Sequence, residues 1–182
     1  MDYPWYELVE NCEEITQGDI IKGCYVPILS DTSKIAENHT IEAEVTTIDG
    51  IVLTQACDIA NNKVDNIILC SITSKEDFES EMASQGGTAK AIQKNIEGII
   101  KGKQHAYHII NNYKTEEFSQ DYYIINFKDI FSVPVDLAKQ IAKANGKRLR
   151  LCPPYREHLS QAFARYFMRV GLPININMEK EK

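Results

Sequence analysis

No arginine precedes Arg148, and the chain contains no C-x-x-C pair, no internal repeat and no apolar run beyond four or five residues. Each absence narrows the reading. A membrane-spanning helix takes roughly 20 consecutive apolar residues, so none is expected. The five cysteines (Cys12, Cys24, Cys57, Cys70, Cys152) are odd in number and scattered, unlike the dense, even spacing of a secreted disulfide framework. The opening "MDYPWYELVENCEE" has neither the basic start nor the apolar middle of a signal peptide. Reduced thiols in a cytoplasmic protein are therefore expected. Structural zinc pairs its ligands about two to four residues apart, whereas Cys57 and Cys70 are 13 apart; no metal and no cofactor is expected. His105 and His108 sit at an odd offset, which would turn them to opposite sides of a strand.

What is present describes an ordinary core with an uneven charge. A chain of 182 residues, 43 % hydrophobic, fits one domain carrying an insertion. Residues 1–81 hold 17 acidic and 4 basic side chains, and residues 82–182 hold 9 and 16, for a net charge of −6. A basic back half can meet nucleic acid. The plainer reading is that the two halves fold together and neutralise one another.

Periodicity divides the chain. "WYELVENCEEI" is a candidate short helix sharing Tyr6 and Val9 on one face. After the Gly18-Asp19 turn, the run to Leu29 is β-rich, with Pro27 marking an edge or bulge. "SDTSKIAENHT" is a polar loop. Ile41, Ala43 and Val45 alternate with Glu42, Glu44 and Thr46, and Asp49-Gly50 is a strong hairpin signal. With "NIILCSIT", three antiparallel strands are expected between Thr40 and Thr73. Between Ser74 and Lys103 the period becomes helical, with Ile92, Ile96, Ile99 and Ile100 in one stripe and a break at Gly86-Gly87. "AYHIINNY" and "DYYIINFKDIFSVPV" return to strand composition. "DLAKQIAKANGK" is a short helix stopped at Asn145-Gly146, and "RLRLC" is a last strand. "PPYREHLSQAFARYFMRVGLP" is an amphipathic helix with Leu159, Phe163, Tyr166, Phe167 and Val170 in line, ended by Gly171 and Pro173. The expected organisation is a single α+β domain over 1–182. Residues 16–73 form the first strands of a small partly open barrel, and 74–104 form a helical insertion. Residues 105–152 supply the remaining strands and a short helix, and 153–173 the closing helix. A sheet covered by one long helix is the alternative.

"QGDII", "GIVLTQACDIANNKVDNIILCSITSKE" and "FKDIFSVPVDLAKQIAKANGKRLRLCPPYREHLSQAFARYF" together resemble the MazF/PemK toxin family. The resemblance covers about two-thirds of the chain. It implies an SH3-like barrel, a dimer, a bacterial toxin–antitoxin, stress or phage-defence setting, and metal-independent endoribonuclease chemistry. Family members carry an "R-P" just before a "VVLS" strand; here that place reads "TTIDGIV", without either residue. "TQACDI" and "RVGLP" also resemble a second group of bacterial proteins, which implies that Gln55, Cys57 and Asp58 belong to a recurring local structure.

RNA cleavage needs a base for the 2′-hydroxyl and a cation for the phosphorane charge. Thr73 stands where the family's strand-end threonine stands, and Lys63 or His39 would have to replace the missing arginine. Cys57-Asp58 reads as a buried strand-end thiol with Asp58 starting a turn; the alternative is that Cys57, with Gln55 and a histidine, is the nucleophile of a hydrolase or transferase. The basic stretch around Lys147, Arg148, Arg150, Tyr155 and Arg156 is the candidate binding face, with Arg148 and Arg150 on one side of a strand. The expected function is that of a non-catalytic binding or regulatory barrel with a protein partner or self-association, RNA binding through the basic face, and no membrane.

Overall fold

The structure, a computed structural model, describes residues 3–28, 43–116 and 118–168. In chain order the elements are β1 (Tyr6–Val9), β2 (Ile20–Ile28), β3 (Glu44–Val52), α1 (Ala56–Ala60), β4 (Asn66–Ser74), α2 (Lys75–Ser84) and α3 (Ala89–Ile100). There follow β5 (Tyr107–Ile110), β6 (Tyr113–Lys114), β7 (Ser119–Gln120), β8 (Tyr123–Pro134), α4 (Val135–Asn145), β9 (Arg148–Leu151) and α5 (Tyr155–Phe167). The fold is α+β. Its main sheet runs β2-β3-β4-β8-β5 with antiparallel neighbours, while β1 pairs with β9 and β6 with β7. Among the described residues, strands β2 and β5 are edges and the sheet does not close into a barrel.

Strand β4 reads as an almost unbroken apolar run because both faces of the sheet are covered. Cys70 and Ile72 face Phe127, Leu149 and Leu159, beneath the β1–β9 pair and α5. Ile67 and Leu69 face Cys24, Val133, Ala138 and Ile141, beneath α1 and α4. The expected helices between Ser74 and Lys103 are present. Ile92, Ile96 and Ile99 of α3 are buried, the last two around Ile124 of β8, but Ile100 points outward and is 62 % exposed. Side chains of Ser74 and Thr88 cap α2 and α3.

Three local expectations are corrected. The stretch from Trp5 begins as a strand: Tyr6 pairs with Leu151 and Glu7 with Arg150. Pairing across the chain here overrides the weak helical preference of an acidic segment. Asp49-Gly50 is no hairpin turn but lies inside β3. Gly50 pairs with Ile21 on one side and Ser71 on the other, and a Cβ there would meet Leu69 and the Cys70 carbonyl at 3.4 Å. Asp49 Oδ1 accepts from Gly23 N–H at 2.9 Å, closing a bulge between Ile21 and Cys24. Accordingly β3 and β4, not three strands, occupy the part of Thr40 to Thr73 that is described. Pro27 does lie on an edge strand. The expected polar loop with His39, the first residues of the Thr40 strand, and Val170, Gly171 and Pro173 fall outside the described residues.

The third correction concerns Cys57. Strand β3 ends at Val52, so its alternation does not reach the cysteine. The chain turns through Thr54, whose Oγ1 accepts from Ile68 N–H at 2.7 Å, and enters α1. Cys57 is an exposed residue of that short helix rather than a buried strand-end thiol.

Candidate functional site

The Gly18-Asp19 turn ties the two sheets together. Gly18 has φ +85°, and a Cβ there would meet Leu151 Cβ at 3.1 Å. Its N–H donates to Val52 O, its carbonyl accepts from Leu151 N–H, and Val52 N–H donates to Asp19 O. This fixes the Asp19 carboxylate, fully buried, beneath β9. The alternation of "RLRL" sends Arg148 and Arg150 to the same side, as expected, and both reach Asp19. Arg148 Nε donates to Oδ2 at 2.8 Å, Arg150 Nε to Oδ1 at 2.5 Å, and Thr16 N–H to Oδ2 at 3.1 Å. Further guanidinium N–H groups donate to carbonyls of the acidic N-terminal segment, Arg148 to Glu10, Glu13 and Glu14 and Arg150 to Glu14, and Arg150 Nη2 also donates to Asp19 Oδ2 at 3.1 Å. Arg150 also meets Glu7 at 3.4 Å.

The rest of the expected basic face is engaged in the same way. Lys147 pairs with Glu10 at 3.4 Å and Arg156 with Glu157 at 2.8 Å. Tyr155 stacks on Trp5 with ring centroids 3.7 Å apart. Lys139 on α4 meets Glu14 at 3.0 Å. The acidic front and the basic back do fold against each other.

The three expected catalytic residues are not together. Cys57 and Lys63 flank α1: the Cys57 thiol lies 3.7 Å from Asp58 Oδ1, and Lys63 Nζ lies 3.8 Å from the same atom. Thr73 is near the opposite end of β4, on the order of 20 Å away along the strand. It lines a hollow of about 300 Å³ with Phe78, Tyr107, Asn126, Lys128 and Asp129. Lys128 is the cation there, missed in the sequence. Its ammonium sits 4.8 Å from the Tyr107 ring centroid, and a hydrogen bond to Tyr107 holds its pKa above the ordinary lysine value. Asp129 accepts from Asn126 at 2.6 Å and from Ser71 at 3.3 Å.

A larger groove of about 460 Å³ runs between β5, the turn after α3, and α5. Its lining includes His105, His108 and His158. The parity argument that separated His105 from His108 fails because His105 precedes β5, in a turn. The His108 ring stacks on Phe127, with centroids 6.3 Å apart, and meets His158 edge-on at 5.2 Å. Burial, reinforced by His158, pushes the His108 pKa down to about 4, so its imidazole is neutral at pH 7. His158, Ala162 and Arg165 lie at i, i+4 and i+7 on α5 and line this groove together. That spacing was the available signal. The groove edge also carries Lys101.

Burial raises the pKa of the Cys24 and Cys70 thiols, to about 11 and about 12, which leaves both protonated. Among the described residues, no group of three His, Cys, Asp or Glu side chains could hold a metal ion, and no helix is long and apolar enough to cross a membrane. No family model matches this chain, and no curated protein matches it either, so its functional reading rests on the geometry above.

Proposed function

We propose that this chain is a non-catalytic binding or regulatory module, built on a MazF/PemK-like, SH3-like scaffold and working with a protein partner or a second copy of itself in a bacterial toxin–antitoxin, stress or phage-defence system. One observation carries the reading. Arg148 and Arg150, the arginines nearest the Gly-Asp turn, direct their donors at Asp19 and at backbone carbonyls. A cation that stabilises a phosphorane must present its donors to the developing charge, and most of these are held by Asp19, Glu7 and backbone carbonyls. Neutralisation of the basic face also favours a protein partner over RNA at that surface.

Metal-free incubation of the full chain with mixed RNA tests this. The expected result is intact RNA with wild type and with Thr73→Ala alike. Cleavage by wild type that disappears in Thr73→Ala would overturn the reading.

A second reading, metal-independent endoribonuclease, is favoured by the His108–His158 pair, because two adjacent imidazoles can take one proton and supply another. Cleavage abolished by His158→Ala but not by Thr73→Ala would select it.

A further inference from the structure

Several cations elsewhere in the molecule have carboxylate partners: Lys63 with Asp58, Lys75 with Glu79, Lys139 with Glu14, and both β9 arginines with Asp19. The groove between β5 and α5 differs. Among the described residues, Lys101, His105, His108, His158 and Arg165 line it and no carboxylate does, although the chain carries a net charge of −6. Lys101 pairs with Glu97 outside the groove, an exposed i,i+4 contact at 3.6 Å. Among the described residues, no carboxylate pairs with Arg165. Apart from Gly102 and Gln104, the other lining residues are apolar or aromatic, including Ile99, Ile109, Tyr107 and Trp5.

We propose that this groove binds a small phosphate-bearing ligand of nucleotide size, its phosphate held by Arg165, Lys101 and His158 and its planar body set against Tyr107, Ile99 and Trp5. The proposal rests on the binding-module reading and names the ligand class. Size agrees, since small-molecule sites occupy roughly 300–1,000 Å³ and this groove is about 460 Å³. Donor number favours phosphate over carboxylate. A guanidinium, an ammonium and an imidazole present more N–H groups than two carboxylate oxygens accept, whereas a phosphate monoester offers three strong acceptor oxygens.

The site also carries its own reporter. The titratable and charged groups around His108 are Tyr107 on β5, His158 and Arg165 on α5, and Lys101 and His105 from the turn after α3. A phosphate bound beside the two rings changes their electrostatic surroundings, so their resonances report occupancy.

The test is a titration of the full chain with adenosine monophosphate, adenosine, inorganic phosphate and a short single-stranded RNA, following the imidazole C2–H resonances of His108 and His158 by proton NMR. Adenosine monophosphate should move both resonances. Inorganic phosphate should bind more weakly, and adenosine more weakly still. Arg165→Gln should weaken the nucleotide about tenfold, the loss of one charge-assisted contact, whereas Lys139→Gln, remote from the groove, should not. The proposal is overturned if adenosine monophosphate leaves both resonances unmoved at millimolar concentration, or if Arg165→Gln binds it like wild type. It is equally overturned if inorganic phosphate binds as well as the nucleotide, which would mark an adventitious anion site, or if only the RNA binds. None of these outcomes depends on RNA cleavage, so the binding-module reading stands or falls separately.

Discussion

At the Gly18-Asp19 turn, two arginines converge on one fully buried carboxylate; in the groove between β5 and α5, Arg165, Lys101 and three histidines surround a hollow that no carboxylate among the described residues lines. The two regions show what burial does to a cation. Arg148, 4 % exposed, is tolerated only because a carboxylate and three carbonyls absorb its donors, since an unpaired charge there would cost several kcal/mol. Arg165 and His158 lie at the surface, where water solvates them and no partner is required. A cation fixed by its surroundings has a structural task, and one left to solvent is free to meet a ligand.

The comparison breaks most readily at Asp19. Asp19→Ala leaves two arginines without their shared acceptor and should cost roughly 3–5 kcal/mol of stability, read by urea unfolding. A loss near zero would mean that the arginines relax outward and that the turn is not held by charge.

Acid should expose the second region. His108 has a folded pKa of about 4, below the ordinary 6.5 of an unfolded chain. The unfolded state therefore binds the extra proton between these values. The stabilisation is complete above about pH 6.5 and is lost as the pH falls toward 4, amounting to roughly 3 kcal/mol. His108→Phe should flatten that part of the stability–pH profile; an unchanged slope would show that other groups produce it.

The smallest effect belongs to exposed pairs. Lys139→Gln removes a surface contact with Glu14 and should change stability by about 0–1 kcal/mol, with the change shrinking further in added salt. A larger, salt-insensitive loss would extend the buried charge cluster beyond Asp19.

Much of the scaffold was legible from local patterns. Helices α3, α4 and α5 follow from apolar spacing, and α4 stops before Gly146, as the Asn145-Gly146 signal indicates. Strand β9 and its Arg148/Arg150 face follow from alternation. What escaped depends on distant partners. Strand β1 is extended because β9 supplies its hydrogen bonds, a pairing that no window around Trp5 contains. Gly50 answers to the crowding of Leu69 and Cys70, which mimics a turn signal when read locally. Asp19 was visible only as a turn residue, since its arginines lie 129 and 131 positions away. The groove combines the turn after α3, β5 and one face of α5, so its histidines met only through folding; within α5 alone, the His158–Arg165 spacing was readable.

The most direct test compares the unfolding free energies of Arg148→Gln and Arg165→Gln by denaturant titration. A structural cation at the turn and a free one in the groove predict a loss of roughly 3–5 kcal/mol for the first and about 0.5 kcal/mol or less for the second. Equal losses, or a stable Arg148→Gln beside a destabilised Arg165→Gln, would contradict the account.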